Sequence, residues 1–208
     1  MMTQYPKIRS VFKRDRVTDE LIDGAWTLPE FKLLADIPWE CSEKIDGTNI
    51  RVMQGEFRGK TDSAQIYGPL VKRLNDLFPR EKFADYFKDN AATTCMYGEG
   101  YGAKIQKAGA NYRPDVDFIL FDIKIGEWWL EREDILQAAE FFGIDTVPTT
   151  DTCSLRDAVE IVRDGFCSSF GNFTAEGLVC KAALGLKARN GERIVAKIKT
   201  VDFRWSTR

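Results

Sequence analysis

The chain has 208 residues, 44% of them hydrophobic and 30% charged, with a formal net charge of −2. That length can bury a full core within one domain, and the slight acidity excludes a uniformly basic nucleic-acid binder while leaving room for a local basic patch. Histidine is absent, which removes Ser-His and Cys-His nucleophile pairs and imidazole metal ligands together, so covalent or acid-base chemistry here must use Lys, Asp or Glu.

No run of about 18 apolar residues occurs, and the first sixteen residues carry charges where a signal peptide needs an apolar centre. The expectation is a soluble, intracellular, cytoplasmic protein with no membrane partner. Five widely spaced cysteines, Cys41, Cys95, Cys153, Cys167 and Cys180, show no paired zinc-binding spacing and read as reduced thiols.

Residues 1–40 read as irregular, punctuated by Pro6, Pro29 and Pro38, with a short helix opened by Pro29. Next comes Glu43-Lys44-Ile45-Asp46-Gly47-Thr48-Asn49. Its Asp-Gly pair followed by the alternation of Ile50 and Val52 predicts a hairpin turn between two strands. Gly55 to Thr61 resembles a phosphate-binding loop but has three residues between its glycines where that loop needs four, and extended segments flank it. A helix is predicted from Pro69 to Phe78 and a second from Arg80 to Lys88.

Thr94 to Gly98 reads as a strand that delivers Glu99 into a glycine-rich turn, Gly98-Glu99-Gly100-Tyr101-Gly102, where small residues would let a ligand approach the backbone. Asp117 to Ile123 is a buried strand with Phe121 and Asp122 at its end. Helices follow from Trp129 to Phe142 and from a capping box at Ser154 to about Gly165. Glu176 to Lys181 is a strand headed by an acid, and Arg193 to Lys199 is a strand of strict alternation. In the latter, Ile194, Ala196 and Ile198 point one way, so Lys197 and Lys199 share the other face, roughly 7 Å apart. Two basic clusters stand out: Lys7, Arg9, Lys13, Arg14 and Arg16, and then Lys187, Arg189, Arg193, Lys197, Lys199, Arg204 and Arg208.

Lys44-Ile45-Asp46-Gly47, Gly98-Glu99, Phe121-Asp122, Glu176 to Lys181 and Lys197-Ile198-Lys199 occur in that order over residues 44–199. This set resembles the covalent nucleotidyltransferase superfamily of polynucleotide ligases and capping enzymes, and most closely its ATP-dependent RNA ligase branch. The resemblance implies an α+β fold of two antiparallel β-sheets with flanking helices and a nucleotide cleft, as in a ligase adenylyltransferase domain with an ATP-grasp-like arrangement. The expectation is one nucleotidyltransferase domain over residues 1–208, departing from relatives in having no appended oligonucleotide-binding barrel or C-terminal helical domain. Residues 1–40 receive no role from it.

By the same resemblance, Lys44 would attack the α-phosphate of ATP to form a lysyl-AMP. AMP would then pass to a 5′-phosphate end, and a 3′-hydroxyl would displace it. Lys197 and Lys199 would assist catalysis and hold phosphate, Glu99 would bind the ribose and Phe121 would stack on adenine. Asp46 and Asn49 would line the phosphate and ribose side, and Glu43 would touch the base. Ile45 and Lys181 would complete the nucleotide site. Glu176 would help place Mg²⁺ or Mn²⁺. Where the family carries an arginine after the nucleophile, this chain offers Lys60, with Arg58 as its competitor. The implied partners are RNA ends or nicks; the alternatives are DNA ends, or an accessory adenylyltransferase that seals only with a protein partner. A free lysine titrates near about 10.4 and is protonated at neutral pH, so a nucleophilic lysine needs neighbouring cations or desolvation.

Overall fold

The computed structural model describes residues 2–203. In chain order come strands β1 (Arg9–Ser10), β2 (Phe12–Arg14) and β3 (Leu21–Trp26), helix α1 (Pro29–Leu33), and strands β4 (Pro38–Glu43), β5 (Thr48–Met53) and β6 (Glu56–Arg58). Helices α2 (Gly68–Leu77) and α3 (Arg80–Phe87) precede strands β7 (Thr94–Gly102), β8 (Val116–Ile125) and β9 (Trp128–Trp129), helix α4 (Arg132–Phe142) and strand β10 (Asp145–Thr146). The last elements are β11 (Cys153–Ser154), α5 (Leu155–Asp164), β12 (Gly177–Ala182) and β13 (Val195–Lys199). The fold is α+β, and its residues form two compact units: 2–6 with Asp46–Val147, and Lys7–Ile45 with 148–203.

The first unit is built on the sheet β10-β8-β7-β5-β6, with β9 paired to β8. Its ladders are antiparallel except where β10 runs parallel to β8. Ile50, Val52, Met96, Phe118, Leu120 and Ile123 bury one face against Leu70, Leu74, Phe78, Phe83, Ile135 and Phe142. Side chains of this size each contribute about 1.5–3 kcal/mol on full burial, so these positions fix which face of each strand meets the helices.

The glycine-rich segment is strand, not turn, since β7 runs unbroken from Thr94 to Gly102. A Cβ on Gly98 would lie 2.2 Å from Phe118 Cζ. The glycine therefore makes room for a core ring. A second departure is in β8, which continues past Asp122 to Ile125. Tyr97 pairs with Asp122 and Gly98 with Leu120, so Phe121 is an inserted residue, a β-bulge. Leu120 and Ile123 both reach the helix-facing core although three residues apart. The bulge is what permits this, and it turns both Phe121 and Asp122 to the other face.

The second unit carries the sheet β1-β13-β12-β4-β11 and the separate hairpin β2-β3. All its pairings are antiparallel apart from β1 with β13. Trp39, Cys41, Leu178, Cys180, Ala196 and Ile198 pack on Leu155, Ala158, Val159 and Val162 of α5. The predicted capping box of α5 is present: Ser154 Oγ accepts from Asp157 N–H at 3.1 Å, and the Asp157 carboxylate reaches back to Ser154. Residues 1–40, expected to be irregular, hold a hairpin and two strands whose apolar positions are too few for a period to show. Asp46-Gly47 is not a hairpin turn either. β4 pairs with β12 and β11, and β5 with β6 and β7, so this turn carries the chain from one sheet to the other.

Candidate active site

Lys44 is the first residue beyond β4. Because Trp39, Cys41, Leu178, Cys180, Ala196 and Ile198 face the core, alternation sets Ser42, Lys44, Val179, Lys181, Lys197 and Lys199 on the opposite face of the same sheet. The ladder then decides the neighbours. Lys199 pairs with Gly177, and the Lys44 backbone N–H donates to Gly177 O at 2.9 Å. A glycine thus separates the backbone of Lys44 from that of Lys199. Gly177 has φ +148, and a Cβ there would lie 2.0 Å from Ile198 O, so no L side chain fits without moving β13.

Glu176 immediately precedes that glycine. Lys44 Nζ donates to its Oε2 at 2.7 Å, and Lys199 Nζ meets its Oε1 at 3.0 Å. The three side chains are 18–31% exposed. Half-shielded ion pairs of this kind are screened less than surface pairs. Attack on phosphorus requires the free amine of such a lysine. Lys197 lies two residues from Lys199 on the same face, opposite Val179, and Lys181 stands opposite Glu40. Arg204 and Arg208 of the basic cluster lie outside the described residues, and Arg14 of the first cluster is bonded to Asp202 at 2.5 Å.

Of the other expected site residues, Asp46, Asn49, Lys60, Glu99 and Phe121 belong to the first unit, and Glu43 and Ile45 to the second. Asn49, Glu99 and Ile119 face one another across β5, β7 and β8, on the side away from the helices. The Asn49 Oδ1 atom is buried with no hydrogen-bond partner among the described residues. Such an orphaned acceptor calls for a ligand, an ion or water. The bulge turns Phe121 to this same face. Asp46 N–H donates to Tyr112 Oη at 3.2 Å, and Ile45 is buried. Arg58 pairs with Arg51; Lys60 follows two residues later, and both are exposed.

The sequence did not reveal the serine partners of Glu43, the contacts of Tyr5 or the buried Arg51. Glu43, expected at a base, is 3% exposed, and its carboxylate accepts from Ser168 Oγ at 2.6 Å and from Ser169 N–H at 2.9 Å. Tyr5 places its ring 5.1 Å from Phe121, edge to face, and donates its hydroxyl to Asp122 at 2.7 Å. Arg51, fully buried, bonds Gly59 O, Met2 O and Asp62. Only Arg51 had a readable signal: it lies two residues from Asn49 in β5, hence on the same face.

No group of three or more Cys, Asp or Glu suited to a metal ion gathers among the described residues. Mg²⁺ is commonly held by one or two carboxylates together with substrate phosphates. A lone Glu176 beside a basic face fits that pattern and not an all-protein cage. All five cysteines are free thiols, and no described helix is long and apolar enough to cross a membrane.

A family model described as RNA ligase matches residues 37–199. No curated protein matches. Among solved structures, a Naegleria gruberi RNA ligase with pyrophosphate is similar over 98% of this chain and 64% of its own, at 18% identity and a TM-score of 0.66. A mutant Naegleria gruberi RNA ligase with ATP and Mn aligns over 94% of this chain and 61% of its own, at 18% identity and a TM-score of 0.65. An archaeal ATP-dependent RNA ligase aligns over 97% and 49%, at 16% identity and a TM-score of 0.60. The chain therefore spans between half and two-thirds of the length of these proteins, and at such identities the likeness concerns the fold.

Proposed function

The chain belongs to the RNA ligase family, and on that footing we propose that it is an ATP-dependent RNA ligase that works through a lysyl-AMP at Lys44. The observation that carries this reading is the meeting of Lys44, Glu176 and Lys199 over a glycine, inside the segment that the family model matches.

Lys44 gives up a proton, and its Nζ attacks the α-phosphorus of ATP. A P–N bond forms, and the P–O bond to pyrophosphate breaks. Lys199 and Lys197 lie on the Lys44 face of the sheet, where fixed positive charge offsets the charge that builds on the phosphoryl oxygens. A divalent cation held by Glu176 would draw that carboxylate away from Lys44 and leave Lys199 beside the nucleophile. Bound Mg²⁺ or Mn²⁺ would polarise phosphate oxygens, and Glu176 is the residue here that would hold it. Glu99 is assigned to the ribose, Phe121 to adenine, Asp46 and Asn49 to the phosphate and ribose side. Stacking on an aromatic ring contributes about 1–3 kcal/mol per base.

The substrate proposed is RNA with a 5′-phosphate and a 3′-hydroxyl. A labelled nicked RNA duplex incubated with the protein, ATP and Mg²⁺ should give AMP-capped RNA and then sealed strand, with a matched DNA nick sealed far more slowly. Equal sealing of both nicks would replace RNA by either polynucleotide. AMP transfer without sealing would point to a needed protein partner, and no transfer of AMP to any end would overturn the proposal.

A further inference from the structure

Glu43 and Lys44 are consecutive, yet the ladder sends them to opposite faces of one sheet. Lys44 joins Lys197 and Lys199, while Glu43 shares its side with Trp39 and Cys41. Glu43 is the last residue of β4 and one of the few charged residues buried in the protein. A carboxylate in such a place is costly unless hydrogen-bonded, and both of its oxygens are engaged, one by Ser168 Oγ at 2.6 Å and the other by Ser169 N–H at 2.9 Å.

The loop it grips is closed on itself. Ser168 N–H donates to Phe173 O at 2.8 Å, Phe170 N–H to Ser168 Oγ at 3.2 Å, and Ala175 N–H to Phe166 O at 2.9 Å. The loop then runs directly into Glu176, whose carbonyl accepts from Thr200 N–H at 2.9 Å, while Thr200 Oγ1 donates to Ala175 O. Glu43 thus ties together the strand end that presents Lys44 and the loop that presents Glu176.

We propose that Glu43 is a positioning residue for the Lys44–Glu176–Lys199 group, acting through Ser168 and Ser169, and that its carboxylate does not recognise the nucleotide base. The inference rests on the lysyl-AMP reading above. A residue that only aligns the nucleophile changes the rate of the chemical step and leaves nucleotide affinity and base selectivity alone. A residue that bonds the exocyclic amine of adenine changes selectivity.

The test is single-turnover lysyl-AMP formation by wild type, Glu43→Ala, Glu43→Gln and Ser168→Ala, each with ATP and with purine riboside triphosphate, which lacks the exocyclic amine. Glu43→Ala should slow the step about tenfold with both nucleotides at unchanged KM. Glu43→Gln, which keeps an acceptor, should recover most of the rate. Ser168→Ala, the milder variant should Glu43→Ala fold poorly, should slow both nucleotides by the same factor. A Glu43→Ala defect confined to ATP, or a raised KM for ATP alone, would assign Glu43 to the base and overturn the proposal. Rates for Glu43→Ala and Ser168→Ala equal to wild type would overturn it too, with the lysyl-AMP reading intact. Wild type that labels with neither nucleotide would overturn both.

Discussion

Gly177→Ala is the substitution whose consequence the geometry states most directly. Gly177 sits at φ +148, and an added methyl would lie 2.0 Å from Ile198 O and 2.9 Å from both Ile198 C and Lys199 Cα. All three are backbone atoms of β13, so relief requires moving that strand and not merely rotating a side chain. Backbone strain of this kind costs about 1–3 kcal/mol, and one or two weakened ladder hydrogen bonds add about 1 kcal/mol each, for a sum of about 2–5 kcal/mol. At this chain length 1 kcal/mol corresponds to about 2–4 °C, which gives a fall in melting temperature of about 4–20 °C by circular dichroism. The control is Gly126→Ala, at a positive φ of +56 with nothing within 4 Å of the new methyl, where the backbone penalty stands alone at about 1 kcal/mol. A Gly177→Ala melting temperature no lower than that of Gly126→Ala would refute the argument that this glycine holds β12 against β13 beside Lys44 and Lys199.

Arg51→Ala removes a fully buried guanidinium and leaves the Gly59 carbonyl without its donor. Urea unfolding should show a loss of about 2–4 kcal/mol, whereas Asp62→Ala, at the exposed end of the same ion pair, should cost under about 1 kcal/mol; equal losses would contradict this. Burial pushes the thiols of Cys95 and Cys153 up from 9.0 to about 11 and about 12, while Cys167 is exposed. At pH 8 a thiol reagent should therefore label Cys167 first, and the half-buried Cys153 and buried Cys95 slowly, and uniform labelling would contradict this order. The sign of the linked stability follows from the raised values. Protonated thiol is favoured in the folded state, so the contribution is complete below about pH 9 and is lost as pH rises toward 11–12, which a melting series between pH 8 and 11 would register.

Where a signal was periodic and the partner surface ordinary, sequence reading found the structure. The alternation of Ile194, Ala196 and Ile198 placed Lys197 and Lys199 on one face, and the core confirms it. The helices at Gly68–Leu77 and Leu155–Asp164 were legible from their apolar spacing and, for the second, from its cap. The failures were cases in which a local signal answers to a distant neighbour. Asp46-Gly47 carries a strong hairpin signature, yet pairing is decided by β12 for one strand and β7 for the other. Gly98 to Gly102 read as a turn and is strand, because the ring that Gly98 accommodates, Phe118, lies twenty residues away. The strand read as ending at Phe121 and Asp122 continues to Ile125, and the bulge at Phe121 breaks its two-residue period so that Leu120 and Ile123 share a face. Ser168 and Tyr5 had no signal at all, since a serine in a loop and a tyrosine before a proline acquire meaning only from the carboxylate and the ring they touch.

The central claim is that Lys44 carries AMP, and peptide mass mapping tests it most directly. After incubation with ATP and Mg²⁺, then with Mn²⁺, the protein is denatured at neutral or mildly alkaline pH, digested and mapped. One AMP should be found on the peptide containing Lys44, and none should form on Lys44→Ala or on wild type given a non-hydrolysable α,β-linked analogue. AMP on another lysine, or an undiminished adduct on Lys44→Ala, would contradict the account.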